Sequence, residues 1–331
     1  MDFFSARTAR PMLIGAEGQP FDDPEWIFEL KLDGERCLAY LDHSSTVLIN
    51  RRSHRLGSKF PELADLNRQV GRSCLLDGEL VITVDGRPDF EAVLRRSGLS
   101  GRMAVELAAR RFPVTFVAFD LLYLDQDPLI NRPLGERKEL LADSVADSER
   151  LAVARYIENQ GRAFFEIVRE RGLEGLIAKK RDSRYYPGQT TKDWVKIKNL
   201  LDDDFIICGY VHQSAKVASL VLGQYKLSGS KDSGRRAIFQ ISREMSYKGH
   251  VTVSLAQADF KIIAAQPRAA GPPFRSEPPA ADRAAVWIQP ALVCKVKFLA
   301  RTARGKLRQP VYVGLRSDKT AEEAVEYLWK P

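Results

Sequence analysis

Cysteine and histidine are scarce in this chain, which has 331 residues but only four of each. The cysteines lie far apart, so no two of them have the spacing of a metal site or of a redox pair. The histidines are equally scattered and give no zinc signature. The four cysteines are Cys37, Cys74, Cys208 and Cys294. We expect them to be reduced thiols in the core of an intracellular protein.

Long hydrophobic runs are also missing. No stretch approaches the roughly 18 apolar residues that a membrane-spanning helix needs. The N-terminus lacks the apolar region of a signal peptide. These absences exclude a helical membrane protein and predict a soluble, cytoplasmic protein that has no membrane partner.

An acidic excess is absent as well, and the basic excess is confined to one part of the chain. Residues 1–200 hold 31 lysines and arginines and 31 aspartates and glutamates, whereas residues 201–331 hold 20 and 12. The net charge of +8 therefore lies in the last third. A positive charge so localised suits a module that lies along a phosphate backbone. A solvated basic face without a partner is the alternative.

The length fits two domains, and the run of aspartates at 202–204 interrupts the pattern and marks the boundary between them. The first domain, residues 1–201, mixes strand-like and helix-like runs with the hairpin turn Asp85-Gly86. This mixture predicts an α+β domain built on antiparallel sheets. The second, residues 202–331, has short strands and one helix and is consistent with a small β-barrel. Its Pro-rich run at 266–279 is predicted to be a mobile loop.

The run Glu-Leu-Lys-Leu-Asp-Gly-Glu-Arg at 29–36 carries the strongest indication of chemistry. A lysine is a nucleophile only when deprotonated, a form that nearby cations, a metal ion or burial favour. The alternation predicts a strand with Glu29, Lys31 and Asp33 on one face, and Gly34 then allows a tight turn before Arg36. The face predicted to lie against the core carries Phe28, Leu30 and Leu32. The alternative is a half-buried strand whose polar face is simply wet.

Two further segments deliver carboxylates to strand-like runs. Asp77 and Glu79 bracket a glycine before the apolar run 80–84. Glu174 precedes a second short strand, which carries Lys179. A regular strand would aim Glu174 and Lys179 at opposite faces, so both reach one site only if Glu174 belongs to the preceding turn.

Two more segments deliver cations. The alternation at 193–198 places Trp194, Lys196 and Lys198 on one strand face, and the two lysines are suited to an anion, whereas Trp194 is interpreted as packing. Near the C-terminus, a strand-like run at 311–315 is followed by a helix-like run at 320–329. The charged residues expected in that connection are Arg316, Asp318 and Lys319.

In order, these segments read Lys-x-Asp-Gly-x-Arg, Asp-Gly-Glu, Glu-Gly-x-x-x-Lys, Lys-x-Lys and Arg-x-Asp-Lys. Together they resemble the motif set of the covalent nucleotidyltransferases, specifically the ATP-dependent DNA ligases. The run at 116–124 resembles the segment that these ligases place between the second and third motifs. The nearest likeness is to the ligase module of bacterial ligase D and its small stand-alone relatives, and it spans essentially the whole chain.

The resemblance implies an adenylation (nucleotidyltransferase) domain at 1–201 followed by an OB-fold domain at 202–331. It also implies the chemistry of a ligase. Lys31 would attack the α-phosphate of ATP and hold AMP as a covalent adduct. The AMP would pass to the 5′-phosphate at a nick in duplex DNA, and the adjacent 3′-hydroxyl would displace it. Mg²⁺ or Mn²⁺ is implied as the metal, with Glu79 and Glu174 as its ligands.

The same resemblance assigns roles to single residues. Lys196 and Lys198 match lysines that contact the α-phosphate, Phe119 an aromatic that stacks on adenine, and Glu29 a contact to the base edge. The implied catalytic residues are Lys31, Lys196, Lys198, Arg316, Asp318 and Lys319, of which the last three would orient pyrophosphate after a hinge motion near Asp202. The implied nucleotide-binding residues are Glu29, Lys31, Arg36, Arg51, Glu79, Phe119, Glu174, Lys179, Lys196 and Lys198.

The implied setting is DNA repair or end joining in a bacterium, by a monomer that acts on nicked duplex DNA with the protein Ku and other end-joining proteins as partners. Three alternatives stay open, namely an RNA ligase, an mRNA-capping guanylyltransferase and a non-catalytic nucleic-acid-binding module. At the level of residues, Phe119 fits a core position as well as a stacking one. Arg52 fits the role of Arg51 nearly as well.

Overall fold

The computed structural model describes residues 3–230, 238–274, 282, 284–302 and 304–326. The chain divides into two compact units, one ending at Asn199 and the other beginning at Leu200. Within the described residues, no helix has the length and apolar character needed to cross a bilayer. All four cysteines are buried and free.

Two large sheets, one two-stranded sheet and five α-helices make up the described part of the first unit. Its strands are β1 (Leu13–Glu17), β2 (Trp26–Leu30), β3 (Glu35–Leu41), β4 (Thr46–Asn50), β5 (Cys74–Val81), β6 (Thr83–Val84), β7 (Arg87–Pro88), β8 (Thr115–Leu124), β9 (Asp127–Pro128), β10 (Leu151–Val153), β11 (Tyr156–Glu158), β12 (Gly175–Lys180) and β13 (Thr190–Lys198). Its helices are α1 (Leu66–Val70), α2 (Phe90–Gly98), α3 (Arg102–Arg111), α4 (Leu134–Ser144) and α5 (Gly161–Glu170), with a 3₁₀ turn at Pro61–Leu63.

The first sheet has the strand order β1-β13-β12-β2-β11, and the second has the order β10-β8-β5-β3-β4. Neighbouring strands are antiparallel except in the pairs β1 with β13 and β8 with β10. The predicted turn Asp85-Gly86 joins the small hairpin of β6 and β7, and both of its residues have positive φ. The expected α+β class with largely antiparallel sheets is confirmed.

The two sheets face each other across a shared apolar core. This core contains Leu38, Tyr40 and Leu75 from the second sheet and Trp194 from the first. The outer face of the second sheet packs on α1, α2 and α4, and the outer face of the first packs on α5. Both sheets are therefore covered on two sides, which explains why their strands contain few exposed apolar positions.

The chain crosses from the first sheet to the second between β2 and β3. Gly34 lies in this crossing, and its φ is not positive. The chain bends at Gly34, and this bend does not need the left-handed conformation that glycine allows. A Cβ atom here would lie 2.2 Å from the carbonyl oxygen of Leu80 in β5. The position requires glycine because the backbone of a neighbouring strand passes too close for any side chain.

The second unit is mostly strands. They are β14 (Leu201–His212), β15 (Val217–Ser230), β16 (Ile238–Ser254), β17 (Val286–Trp287), β18 (Val293–Phe298), β19 (Ala300–Arg301), β20 (Leu307–Arg308), β21 (Val311–Leu315) and β22 (Val325–Glu326), with the helix α6 at Ala258–Ala264. The main sheet has the order β16-β15-β14-β18-β21, with antiparallel neighbours along that path. Its core is formed by apolar side chains of β14, β15, β16, β18 and α6.

Two expectations for this unit concern the predicted C-terminal helix and the predicted Pro-rich loop. The helix predicted at 320–329 is wrong for its described part, where a 3₁₀ turn at Ala321–Glu323 is followed by β22. Residues Val325 and Glu326 pair in parallel with Tyr225 and Lys226 at the edge of β15. This pairing outweighs the helix propensity of the segment. Residues 327–331 lie outside the described residues, as do residues 275–279 of the predicted Pro-rich loop.

Candidate active site

A cavity of about 400 Å³ lies within the first unit, where the crossing between the two sheets meets β12 and β13. Eight of the predicted site residues line it, together with apolar and hydroxyl side chains that the sequence did not indicate. The predicted members are Glu29, Lys31, Arg36, Arg51, Glu79, Phe119, Lys179 and Lys196. The additional members are Leu13, Ile14, Leu30, Leu32, Ile177, Thr190 and Trp194.

Lys31 follows directly after β2 and is held by its backbone and its side chain. Its N–H donates to the carbonyl of Gly175 at 2.9 Å, which continues the ladder between β2 and β12. Its ammonium lies 2.6 Å from a carboxylate oxygen of Glu174. Glu174 precedes β12 and does not belong to the strand, which meets the condition under which Glu174 and Lys179 can serve one site.

Glu79 lies directly opposite Arg36 in the pairing of β3 with β5. Burial raises the pKa of its carboxyl to about 8, although the charges of Arg36 and Lys31 act in the opposite direction. Near neutral pH, a large fraction of this carboxyl is therefore protonated. An added cation would shift it to the charged form.

Arg36 is bound by the carboxylate of Asp77, for which the sequence analysis predicted no separate role. Asp77 is fully buried and accepts two hydrogen bonds from the Arg36 guanidinium, at 3.0 and 2.7 Å. The hydroxyl of Tyr185 donates to the same carboxylate at 2.6 Å. The two residues of the acidic pair therefore have different positions: Asp77 orients Arg36, and Glu79 lines the cavity.

Aromatic rings form one wall of the cavity. Phe119 and Trp194 meet edge to face with their centroids 6.2 Å apart, and Phe119 is only half-buried. The guanidinium of Arg36 lies 5.3 Å from the Phe119 centroid, and the ammonium of Lys179 lies 4.2 Å from the Trp194 centroid. Trp194, which was interpreted as packing, is buried and also lines the cavity. Its shared strand face with Lys196 was the signal for this.

Glu29 lies at the base of the cavity and is almost completely buried. Lys138 donates to one of its carboxylate oxygens at 2.8 Å, and Lys179 donates to the other at 2.7 Å. Burial lowers the pKa of Lys179, against the opposing charge of Glu29. The predicted division of faces was wrong here, because Leu30 is 38% exposed whereas Glu29 is buried. The strand is covered on both faces, so period-two alternation does not separate core from solvent.

Arg51 follows β4 and lines the cavity, whereas Arg52 does not. The turn that carries it is organised by Asn50. The Asn50 side-chain oxygen accepts from the N–H groups of Arg52 and His54, and its amide donates to Glu35 at 2.8 Å. Such a side-chain-stabilised turn directs Arg51 towards the cavity.

The two lysines of β13 are placed differently. Lys196 lines the cavity, but Lys198 does not, and its ammonium lies 2.9 Å from a carboxylate oxygen of Glu17. Lys198 is therefore paired with a carboxylate, although the sequence suited it, together with Lys196, to an anion. Glu17 comes from β1, which lies beside β13 in parallel register. Adjacency of these distant segments is not visible in the sequence around either one.

Arg316, Asp318 and Lys319 lie in the second unit after β21, in the expected connection. Arg316 contacts Asp318 at 2.8 Å and Asp204 at 3.1 Å. Lys319 forms an ion pair with the same Asp204. Asp204, near the start of β14, thus gathers both cations into one cluster within this unit.

No cluster of three or more histidine, cysteine or carboxylate side chains is arranged to hold a metal ion in the part of the chain that the structure describes. Glu79 and Glu174 nevertheless fit a magnesium site, since Mg²⁺ commonly takes one or two protein carboxylates and completes its shell with phosphates and water.

A lysine amine placed among carboxylates and cations, in a cavity with an aromatic wall, defines a site for covalent chemistry on a nucleotide. A family model for the ATP dependent DNA ligase domain matches residues 16–198, and one for the C terminal region of ATP dependent DNA ligases matches residues 213–319. The chain belongs to the family of ATP-dependent DNA ligases.

Three relatives support this assignment. The multifunctional non-homologous end joining DNA repair protein LigD of Mycobacterium tuberculosis is 32% identical over 307 residues, 91% of this chain and 37% of that protein. DNA ligase C1 of Mycolicibacterium smegmatis is 31% identical over 304 residues, 87% of this chain and 82% of that protein. The structure of a mycobacterial DNA ligase D complexed with ATP and MES matches with a TM-score of 0.55 at 30% identity, over 99% of this chain and 100% of that one.

These matches confirm the expected fold, a nucleotidyltransferase domain followed by an OB-fold domain. The chain spans little more than a third of the length of LigD.

Proposed function

We propose that this protein is an ATP-dependent DNA ligase that seals nicks in duplex DNA through a lysyl-AMP intermediate. The amine of Lys31 attacks the α-phosphorus of ATP, a nitrogen–phosphorus bond forms, and pyrophosphate leaves. The AMP then passes to the 5′-phosphate of the nick, and Lys31 is released. Attack by the adjacent 3′-hydroxyl joins the strands and releases AMP.

The observation that carries the proposal is the position of Lys31 in the cavity. Its ammonium is paired with Glu174, so the amine has an acceptor beside it for the proton that it must lose before attack. Lys196 and Arg36 line the same cavity and add positive charge, which attracts phosphate. A lysine on a merely wet strand face would have neither the carboxylate nor the enclosure.

The cavity has one end suited to a base and another suited to phosphates. The rings of Phe119 and Trp194 offer a stacking surface, and Glu29 and Lys179 beside them offer an acceptor and a donor for a base edge. Lys196 is suited to the α-phosphate, and Arg51 is suited to ribose or phosphate oxygens. Lys198 would first have to leave Glu17 before it could bind phosphate.

Magnesium or manganese would be held by Glu79 and Glu174, with ATP phosphates and water as the remaining ligands. When bound, the cation would neutralise phosphate charge and disfavour the protonated form of Lys31. The protein contributes the two carboxylates, and a cation beside Glu79 would favour the charged form of its carboxyl.

The second domain, for which we propose the bounds 202–331, is suited to hold DNA through its basic excess. Arg316, Asp318 and Lys319 would orient the pyrophosphate leaving group during the first step. This role requires Arg316 and Lys319 to exchange their bonds to Asp204 for bonds to phosphate.

Mass spectrometry after incubation with ATP and Mg²⁺ tests the central step. We expect one added AMP on Lys31 in the wild type and none in Lys31→Ala. Lys192→Ala, which removes an exposed lysine from β13, is the control and should keep the adduct. An adduct formed from GTP and not from ATP would contradict adenylation. Sealing of nicks with deoxyribose and not ribose at the 3′ end would separate DNA from RNA ligation.

We also propose a role in double-strand-break joining, because the LigD relatives are named for non-homologous end joining. In that setting Ku is the expected partner. Addition of Ku should accelerate the joining of broken duplex ends by this protein while leaving nick sealing unchanged. Equal rates with and without Ku would contradict the partnership.

A further inference from the structure

A buried lysine outside the cavity connects the two sheets beneath its base-binding end. Lys138 lies on α4, and only 1% of its side chain is exposed. Its ammonium donates to the Glu29 carboxylate at 2.8 Å, to the carbonyl of Ala154 at 3.1 Å and to the carbonyl of Phe119 at 3.4 Å. An ammonium has three donors, so these three acceptors satisfy it completely.

The acceptors belong to different layers of the fold. Glu29 is part of β2 in the first sheet, whereas Phe119 is part of β8 in the second. Both residues line the cavity, and Lys138 itself does not. Through these hydrogen bonds, Lys138 links the Glu29 carboxylate on one wall of the cavity to the backbone of Phe119 on the other.

The carboxylate of Glu29 is held from both sides, by Lys138 on one oxygen and by Lys179 on the other. Each carboxylate oxygen can accept more than one hydrogen bond, so both retain capacity for a ligand. A buried carboxylate that accepts from a cationic donor on each oxygen cannot rotate freely. Removal of Lys138 would leave its orientation to Lys179 alone, whose own ammonium faces the rings of Phe119 and Trp194.

We propose that Lys138 is a positioning residue that determines recognition of the 6-amino group of adenine. It holds the Glu29 carboxylate at a set distance from the Phe119 ring, so that a base stacked on the ring presents its exocyclic amine to the carboxylate. This inference rests on the proposed function, because it takes ATP as the nucleotide. No feature of the sequence singles out Lys138, since a lysine in a helix-like run usually lies in solvent.

The test compares ATP with purine riboside triphosphate, which lacks only the 6-amino group. The measurement is the ratio of the two values of kcat/KM for lysyl-nucleotide formation. We expect the wild type to prefer ATP by about tenfold or more, as for a hydrogen bond to a charged group. In Lys138→Met the preference should fall to less than about threefold, mainly through a higher KM for ATP.

Controls separate positioning from stability. Lys180→Met removes the lysine that follows Lys179 in β12. Lys180 does not line the cavity, so this variant should keep the full preference for ATP. Glu29→Met, which has a similar volume but no oxygen acceptor, should lose the preference, and adding Lys138→Met to it should cause little further change. If Lys138→Met does not fold, Lys138→Gln provides the same measurement with a neutral donor in place.

A preference that survives in the folded Lys138 variants, even with slower adenylation, would overturn the proposal, because a purely structural role slows both nucleotides equally. The absence of any preference in the wild type would overturn it too. In that case the lysyl-AMP adduct on Lys31 would still form, so the ligase function would stand without the positioning role. Failure of the adduct itself would instead refute the proposed function.

Discussion

Replacement of Asp77 by asparagine is the sharpest test of how the site is supported. Asp77 is fully buried, accepts two hydrogen bonds from Arg36 and receives a third from Tyr185. Asparagine has almost the same shape but no charge, and its amide group would point a donor at the guanidinium or the hydroxyl. The variant therefore leaves the Arg36 charge without its carboxylate.

The cost follows from the burial of the pair. Removing one partner of a buried ion pair typically destabilises a protein by about 3–5 kcal/mol. Glu79 lies opposite Arg36 and offsets part of this loss by ionising more fully. We therefore expect about 3 kcal/mol for Asp77→Asn, together with slower adenylation because Arg36 is no longer aimed into the cavity.

Urea unfolding, with amide hydrogen exchange resolved to peptides of β3 and β5, measures this loss. The control is Glu106→Gln, which breaks the exposed pair with Arg102 on α3 and should leave the free energy of unfolding nearly unchanged. Equal losses in the two variants would refute the reasoning, since burial could then not be what makes the Asp77 pair important.

Three further predictions follow from single positions. Gly34→Ala should destabilise the first unit by about 2 kcal/mol or more and slow adenylation, because its Cβ would meet the Leu80 carbonyl, whereas Gly98→Ala, with open space around it, should do neither in the same assays. Burial alone would raise the pKa of Asp42, but hydrogen bonds from the two following serines outweigh it and lower the pKa to about 2. The stability that these hydrogen bonds supply is present above about pH 4 and is lost as the pH falls towards 2. On acid titration the wild type should therefore lose stability over this range, and Asp42→Asn should show no such loss from this position. Lys297→Ala, at an exposed position of β18, should lower the slope of log affinity for nicked duplex against log salt by about 1, and an unchanged slope would remove this residue from the DNA-binding surface.

Much of the site was predictable because its charged residues lie at strand ends, where chain order and alternation carry information. Lys31 directly follows β2, whereas Arg36 and Glu79 lie within β3 and β5, and all three strands have an apolar run that is clear in the sequence. In a strand, successive side chains point to opposite faces of the sheet, so the position of one residue determines the face on which its neighbours lie. The residue types alone then indicated a site for phosphate chemistry.

What the sequence did not reveal depends on packing between distant segments. Glu17 reaches Lys198 only because β1 lies parallel to β13, a pairing without a local signature. Lys138 is buried only because α4 packs on β8 where the two sheets meet, and nothing in its own helix marks it as different from a solvated lysine. Glu29 is buried because β2 has covering layers on both faces, which alternation alone cannot express.

The short passage from β2 to β3 has a consequence for how this protein tolerates change. Lys31 stands at the end of one sheet and Arg36 near the start of the other, and only a few residues join them. An insertion of one residue there would shift the two side chains apart by about 3.3 Å, roughly the length of the hydrogen bonds that must act together on one phosphate. Loops elsewhere can lengthen in evolution or in engineering. The length of this connection sets the distance between Lys31 and Arg36, so it should not vary.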